Sequence, residues 1–405
     1  MVLLIAWRNI WRNPLRSLVV MGAVIIGVWS IVFLAGMIGG IMESYVDNAI
    51  RNEVSHVQLH HPEFIKDKKS EFYFSDANDI LARVKQTEGV KAASVRTITN
   101  AMVSSGRGNR GIRVSGIDPL QEQDVSYISQ NLVEGTYLES KSKNPILISS
   151  RTAEKLKVKL RSKVVLTFQD LEGNITSGAF RVSGIFDSDN NMFDESILFV
   201  KRDDLNVLMG KEGVAHEVAV LLDEAQLADT TRIQLQAAFP NLLVQTYKEI
   251  SPELEIFQNQ IQMVSIVYMV IFMLALVFGI INTMLMAVLE RVRELGVLMS
   301  VGMNKVRVFF MIVFETLLLG IMAAPIGIFL GWITSMYFSK NGINLAFFSK
   351  EGMAQFGMST FIYPKVDPSI YGQLAIAVLI TALVGSIYPA IKAIRLNPME
   401  AIRKL

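Results

Sequence analysis

Cysteine is absent from all 405 residues of the sequence. This absence excludes disulfide bonds, thiolate metal sites and cysteine nucleophiles together. Charge is scarce as well, since 19% of the residues are Asp, Glu, Lys or Arg and the formal net charge is only +2. Nucleic-acid-binding proteins carry strongly basic surfaces, so this balance gives no indication of a nucleic-acid partner.

Sequence signatures of enzyme active sites are scarce too. The chain has neither an HExxH zinc motif nor a Walker A phosphate-binding loop. Gly106, Gly108 and Gly111 have the spacing of a dinucleotide-binding fingerprint, which must close a strand and open a helix. Residues 112–117 instead alternate like a strand, so we predict a glycine-rich hairpin turn here.

Three of the four histidines, His56, His60 and His61, lie close together in the sequence. The residues between them are typical of a strand, and we interpret the histidines as structural rather than as metal ligands. Glu315 lies near the charged end of an apolar helix, where we expect packing or snorkelling rather than a proton relay. The sequence therefore predicts no catalytic residue, no metal site and no cofactor on this chain.

Long apolar runs are what the sequence does have. Four stretches of 24 to 27 residues contain no Asp, Glu, Lys or Arg, and they occupy 17–42, 263–289, 316–339 and 368–391. About 20 apolar residues in a helix cross the hydrocarbon core of a bilayer, which is about 30 Å thick. We therefore predict a membrane α-helical fold with four transmembrane helices and a large domain inserted between the first and the second.

Basic residues in short segments predict the orientation in the membrane. They are concentrated in the N-terminal segment, in the loop after the second run and in the C-terminal tail. We predict that these three segments are cytoplasmic and that the inserted domain is extracytoplasmic. The basic residues are Arg8, Arg12, Arg16, Arg291, Arg293, Lys305, Arg307, Lys392, Arg395, Arg403 and Lys404.

The predicted segments follow from this topology. They are a cytoplasmic amphipathic segment at 1–16, a first transmembrane helix at 17–42, an extracytoplasmic domain at 43–262, a second transmembrane helix at 263–289, a cytoplasmic helix at 290–307, a third transmembrane helix at 308–339, an extracytoplasmic loop at 340–367, a fourth transmembrane helix at 368–391 and a cytoplasmic tail at 392–405. Small residues four apart, as at Gly36 and Gly40 or Gly327 and Gly331, favour close helix packing.

The inserted domain has the pattern of a mixed α/β fold. Helical periodicity at 76–89 and 224–238 predicts two helices. Alternating stretches predict strands at 112–117, 145–149, 164–168, 180–185 and 242–246. We predict an α/β part at 50–118 plus 213–250, with a strand-rich insert at 119–212.

The loop after the second run reads ERVRELGVLMSVG from Glu290 to Gly302. Its charges lie at the start and an apolar patch fills its middle, which is more than a simple turn requires. The patch consists of Leu295, Val297, Leu298, Met299 and Val301. We expect a short helix along the membrane that presents this patch to a groove on a cytosolic partner.

Three motifs carry a resemblance to a known family. The pattern E-R-x-R-E-x-G-x-L-x-x-x-G in this loop resembles the permease domain of FtsX-like ABC transporters. YPAIKAIRLNPMEAIR at 388–403 resembles the C-terminal motif of that family, and AWRNIWRNPLRS at 6–17 is similar to its start. The chain is identified as a member of the FtsX-like and MacB-like permeases, most similar to the lipoprotein-releasing LolC/LolE type.

The resemblance implies a permease that works by mechanotransmission in the bacterial inner membrane. ATP and Mg are then bound by a separate cytosolic ABC ATPase, present in two copies, and a second permease chain completes a homodimer or a heterodimer. The cargo is a lipoprotein drawn from the outer leaflet among membrane lipids, and a periplasmic chaperone is a possible acceptor. The residues implied in ATPase coupling are Glu290, Arg291, Arg293, Glu294, Leu295, Gly296, Met299 and Gly302. By position, the predicted cargo entrance consists of Ile38, Met42, Tyr45, Val46, Phe257, Ile261 and Val264.

Two other functions fit the same resemblance. One is a MacB-like exporter of peptides or small amphiphiles, which predicts an adaptor at the distal tip of the inserted domain. The other is an FtsX-like regulator of a periplasmic wall hydrolase, which predicts no transported cargo. Cargo identity and the type of dimer do not follow from the sequence.

Overall fold

A computed structural model describes residues 2–12, 14–138, 143–188, 190–345, 352 and 361–395. The chain forms two compact units. The first, the membrane unit, comprises Met1–Met42, Asn259–Ile343 and Ile362–Leu405. The second, the inserted domain, comprises Glu43–Gln258 and Asn344–Phe361. Much of the predicted loop at 340–367 and of the predicted tail at 392–405 lies outside the described residues.

The described helices begin and end as follows. They are α1 (Val2–Arg12), α2 (Pro14–Ala49), α3 (Phe64–Asp67), α4 (Ala77–Lys85), α5 (Pro119–Val125), α6 (Ser150–Leu156), α7 (Asn191–Ser196), α8 (Arg202–Leu208), α9 (Ala228–Ala238), α10 (Tyr247–Ile250), α11 (Pro252–Glu290), α12 (Val292–Ser300), α13 (Lys305–Asn341) and α14 (Pro368–Ile394). A π-helical turn (Ile50–Val54) continues α2, and a 3₁₀ turn (Ala225–Leu227) precedes α9.

The described strands begin and end as follows. They are β1 (Val57–His60), β2 (Val90–Ser105), β3 (Gly108–Ile117), β4 (Leu132–Gly135), β5 (Pro145–Ser149), β6 (Lys163–Gln169), β7 (Ile175–Phe186), β8 (Ile197–Lys201), β9 (Glu217–Leu222), β10 (Leu243–Thr246), β11 (Ile343–Asn344) and β12 (Phe361–Ile362).

Four helices are long and apolar enough to cross a membrane, which agrees with the four predicted from the uncharged runs. They are α2, α11, α13 and α14. Three of them extend well past those runs, because helical hydrogen bonding does not require apolar side chains. The 39 residues of α11, for example, span about 58 Å, more than the thickness of a hydrocarbon core.

Small residues let the helices of the membrane unit approach closely. Gly327 and Gly331 of α13 face Val28 and Val32 of α2, and a Cβ added at Gly331 would lie 2.6 Å from Val32. The glycine pair of α13 thus makes the close helix contact that we predicted, although it packs against two valines rather than against another glycine pair. Such close approach strengthens van der Waals packing, which drives helix association in lipid.

A short segment before α14, residues 363–366, crosses the glycines in the C-terminal half of α2. The Lys365 amide donates to the Gly36 carbonyl at 2.9 Å. A Cβ added at Gly39 would lie 2.2 Å from the Lys365 carbonyl oxygen, and one at Gly40 would lie 2.3 Å from the Tyr363 carbonyl oxygen. Gly39 and Gly40 are therefore needed for contact with a backbone segment, whereas a Cβ added at Gly36 would also lie 3.1 Å from Ser335 Oγ of α13.

A ten-stranded sheet runs through the inserted domain, in the order β10-β1-β9-β2-β3-β8-β5-β7-β4, with β6 joining β2 to β7. At one end, β10, β1, β9 and the first half of β2 pack against α4 and α9 around Val57, Val84 and Leu235. At the other end, β2, β3, β8, β5, β7 and β6 pair in a closed ring. All six strands contribute side chains to its single core.

The boundary that we predicted at residue 119, between the α/β part and the strand-rich insert, is wrong, because the closed ring also contains residues that precede it. Ala101, Val103, Ile112 and Val114 were expected in the α/β part, but they belong to the core of the ring. The reason is the length of β2, whose first half pairs with β9 and whose second half pairs with β6. Because the single strand β2 contributes side chains to both cores, the amino-acid composition does not change at the boundary between them.

The other local predictions in the inserted domain are confirmed. Helices are present at Ala77–Lys85 and Ala228–Ala238, and all five predicted strands are present. The glycine-rich segment is a hairpin, since β2 ends at Ser105, β3 begins at Gly108 and no helix follows the turn.

Candidate functional site

The segment between α11 and α13 contains a short helix, α12, that is set off by two breaks. Arg291 leaves helical geometry with φ −106° and ψ 16°, which separates α12 from α11. Gly302 has φ +106°, a conformation that favours glycine, and it ends the turn after α12. The Asn304 side chain then accepts from the Val306 amide at 3.2 Å and caps α13. The predicted helix at 290–307 is thus shorter, at Val292–Ser300.

One side of α12 packs into the helix core of the membrane unit. Leu295 is 3% exposed and belongs to that core, Gly296 is buried, and Met299 packs against the core while half-buried. Val297 and Val301 are exposed, at 47% and 83%. The prediction that the whole apolar patch faces a partner is therefore wrong, because helical periodicity places Leu295 and Met299 on the opposite side from Val297 and Val301.

Charged side chains connect α12 to two other helices. Arg12 of α1 donates to Glu294 Oε1. Glu294 Oε2 accepts from Arg291 Nε at 3.1 Å, and Arg291 Nη1 lies 3.4 Å from both carboxylate oxygens of Glu315 in α13. We call this series of four alternating charges the charge ladder. The hydrogen bond from Arg12, more than the contact with Arg291, lowers the pKa of Glu294.

The structure places the predicted coupling residues differently. Arg291 and Leu295 line the junction of α11, α12 and α13, and Glu294 contacts Arg291 from the exposed side of that junction. Glu290 and Arg293 are exposed as well. From the sequence, Arg12 was interpreted only as a basic residue that predicts the orientation in the membrane, and Glu315 was not paired with Arg291. Arg12 and Glu294 are 282 positions apart, so no spacing rule for helices relates them.

The predicted cargo-entrance residues lie on α2 and on the first part of α11. Tyr45 and Phe257 are in contact, with ring centroids 4.5 Å apart. Tyr45 and Val46 also pack against a core cluster of the inserted domain that includes Ile50. Ile38, Met42 and Ile261 are half-buried and Val264 is exposed, at positions within the membrane unit.

A polar centre in the inserted domain was not predicted. Arg96 of β2 is 5% exposed and donates to Glu122 at 2.7 and 3.2 Å and to Glu217 at 2.7 Å. Burial by itself lowers the pKa of Arg96, but the two carboxylates outweigh it and raise that pKa. Burial likewise raises the pKa of Glu122, yet Arg96 keeps it below its usual value. Arg96 and Glu217, but not Glu122, line a cavity of about 210 Å³ together with His60.

The clustered histidines make ordinary structural contacts. His60 contacts the His216 carbonyl at 3.2 Å and Gln58 Oε1 at 2.8 Å, while His56 Nδ1 accepts from the Leu222 amide at 2.9 Å. Within the described residues, no group of three or more His, Asp or Glu side chains is arranged to hold a metal ion.

Comparison with known proteins gives two family matches. Residues 17–238, more than half of the chain, match the MacB-like periplasmic core domain. Residues 266–398 match the FtsX-like permease C-terminal domain. The first match covers α2 and most of the inserted domain, and the second covers the segment that contains α12.

Individual relatives are distant. An uncharacterized ABC transporter permease of Methanocaldococcus jannaschii is 25% identical over 67% of this chain, which spans 65% of that protein. The lipoprotein-releasing system transmembrane protein LolC of Xylella fastidiosa is 21% identical over 77% of this chain and 78% of its own length. The crystal structure of the periplasmic region of MacB from Actinobacillus actinomycetemcomitans matches 52% of this chain and 97% of its own, with 12% identity and a TM-score of 0.36. The two family matches show that the chain belongs to the ABC transporter permeases that join a MacB-like periplasmic core domain to an FtsX-like permease domain.

Proposed function

We propose that this chain is the membrane subunit of a lipoprotein-releasing transporter in the bacterial inner membrane, with both termini cytoplasmic. A separate cytosolic ABC ATPase binds ATP and Mg and contacts α12. Its movement on ATP binding and hydrolysis is passed to the membrane helices and then to the extracytoplasmic inserted domain, which engages a lipoprotein. Two permease chains and two ATPase subunits complete the transporter, and a periplasmic chaperone receives the cargo.

The observation that carries this proposal is the two-sided packing of α12. Val297 on α12 and Val301 directly after it are exposed, whereas the other side of this helix is fixed in the helix core by Leu295. A partner that presses on the exposed side therefore displaces the buried Leu295. Densely packed interiors transmit such displacements to neighbouring helices. This arrangement supports mechanical coupling, whereas α12 alone supports no particular cargo.

The lipoprotein cargo rests on similarity. The likeness to LolC extends over most of both chains. The predicted entrance at the outer ends of α2 and α11 stays part of the proposal.

A MacB-like exporter is the second candidate, and the match of residues 17–238 to the MacB-like periplasmic core domain favours it. The two candidates differ in what copurifies with the complex. The chain is purified with its cognate ATPase from its native membrane, and bound molecules are identified by mass spectrometry. Lipoproteins enriched over a sample that carries Tyr45→Ala and Phe257→Ala support release, whereas a periplasmic adaptor without lipoproteins contradicts it and supports export.

A further inference from the structure

We infer that Arg12 and Glu315 are positioning residues that fix the orientation of α12 through the charge ladder. Glu315 holds the start of α12 through Arg291, and Arg12 holds its first turn through Glu294. The inference deepens the proposed function, since it rests on α12 being the contact for the ATPase. It adds the N-terminal helix α1 to the elements that pass the movement of the ATPase to the membrane helices.

Both ends of the ladder are fixed to the same helix. Glu315 belongs to α13 and is 3% exposed. Arg12 belongs to α1, which packs against α13 and buries Ala6 and Ile10 at 0% and 1% exposure. Arg291 and Glu294 are therefore held between two points whose separation is set by the packing of α1 on α13. A rotation of α12 changes at least one of the three ionic contacts.

The ladder passes from solvent into the helix core. The exposed fractions of the side chains fall from 54% at Arg12 and 45% at Glu294 to 11% at Arg291 and 3% at Glu315. The outer pair is consequently screened by salt, whereas the inner pair is shielded from it. Removal of Arg291 also takes a counter-charge away from the nearly buried Glu315, which is more costly than loss of an exposed pair.

The inner pair has room to move. A cavity of about 10 Å³, enough for about one water molecule, lies beside it and is lined by Arg291, Glu315, Leu295 and Met311. Arg291 Nη1 lies 3.4 Å from each Glu315 oxygen, which is long for a charge-assisted hydrogen bond. The contact that holds the start of α12 is thus the one that a displacement of α12 changes most readily.

The absence of cysteine permits a direct distance measurement. Spin labels are attached to Val297→Cys on α12 and to Ile333→Cys on the outer half of α13, both at exposed positions. Distances are measured by pulsed electron paramagnetic resonance on the full chain in lipid nanodiscs. We expect a narrow distance distribution for the parent, and a shifted and broadened one for Arg12→Met and for Glu315→Gln. Arg12→Lys, which keeps the charge, should restore the parent distribution.

Two controls separate positioning from general loss of structure. Arg8→Met removes an exposed arginine one turn earlier on α1 and should leave the distribution unchanged. Salt at 1 M, where the screening length is about 3 Å, should move the parent toward the Arg12→Met distribution and leave Arg12→Met itself unaffected. If Glu315→Gln fails to fold, Arg12→Met decides alone, because its side chain is half exposed. A distribution for Arg12→Met that matches the parent at low salt overturns the inference.

This test requires neither ATPase nor cargo, so it fails independently of the proposed function. In the complex with the cognate ATPase, a synthetic triacylated lipopeptide should stimulate ATP hydrolysis by the parent and by Arg8→Met, whereas Arg12→Met should lose the stimulation. Distances that respond to Arg12→Met without any stimulation in the parent contradict the proposed function alone. Stimulation that persists in Arg12→Met contradicts the positioning role.

Discussion

At Arg96, a buried cation is balanced by two buried carboxylates, Glu122 and Glu217. Taking charges out of water costs several kcal/mol per ion, so each member of such a cluster depends on the others. We expect Arg96→Met to destabilise the inserted domain by about 3–5 kcal/mol, because both carboxylates lose their counter-charge. Pulse proteolysis in urea on the full chain measures the change.

The matched control for Arg96 is Arg113, which pairs with Glu53 at 2.8 Å while both side chains stay partly exposed. Arg113→Met should cost less than about 1 kcal/mol, as exposed pairs do. Equal losses of stability for Arg96→Met and Arg113→Met would show that burial of the Arg96 cluster does not decide its importance.

His216 gives the inserted domain a defined dependence on pH. Burial, more than any neighbouring charge, lowers the pKa of His216 from 6.5 to about 4. Its Nδ1 accepts from the Ile98 amide at 3.2 Å and its Nε2 faces the Ser70 carbonyl at 3.0 Å, so a second ring proton breaks the first contact. The folded state therefore resists protonation that the unfolded state accepts below pH 6.5.

The sign of the resulting effect follows from linkage. Above pH 6.5 the His216 contribution to stability is complete, and it is lost as the pH falls from 6.5 to about 4. His216→Gln should make the free energy of unfolding less dependent on pH in this window, by up to about 1.4 kcal/mol per pH unit. Val103→Ala, which opens the core of the closed ring, should lower stability equally at both ends of the window. An unchanged slope in His216→Gln would refute this assignment.

At the scale of elements, two glycines of α2 distinguish a position where glycine permits a tight backbone contact from one where it only makes the helix more flexible. Gly39→Ala places a Cβ against the Lys365 carbonyl, whereas Gly22→Ala on the same helix meets nothing within 4 Å. We expect Gly39→Ala to destabilise the membrane unit by about 1–3 kcal/mol, as forced overpacking does. Gly22→Ala should be neutral or slightly stabilising. Thermal unfolding in detergent compares the two, and similar melting temperatures would exclude a tight contact at Gly39.

The sequence predicted the elements well where one local property decides them. Uncharged length indicated α2, α11, α13 and α14, and alternation indicated the hairpin between β2 and β3. It did not predict the closed ring, because ring closure depends on the pairing of β6 with both β2 and β7, which no local pattern encodes.

The candidate site was predicted only in part for a similar reason. Charge and apolar patterning indicated a short helix after α11, and α12 is present there. The pattern did not reveal that Leu295 is buried, since its burial depends on where α12 lies against the helix core. The pairing of Arg12 with Glu294 joins the first sequence segment of the membrane unit to its second and has no signature in spacing.

At the scale of the whole molecule, the chain combines a membrane unit, whose α12 has one exposed side, with a large mixed α/β domain. The family places both in one ABC transporter permease. We propose that force from an ATPase enters through the exposed side of α12. Val297 and Val301 are the residues to substitute, because substitution of buried Leu295 would also open the helix core.

The most direct measurement is ATP-dependent release of a lipoprotein from proteoliposomes that contain the chain and its cognate ATPase. Val297→Asp combined with Val301→Asp should abolish release and keep the complex folded, because both side chains are exposed. Val133→Asp, an exposed position in the inserted domain, should release lipoprotein at the parent rate. Release at the parent rate by the α12 variant, with the ATPase still bound, would contradict the account.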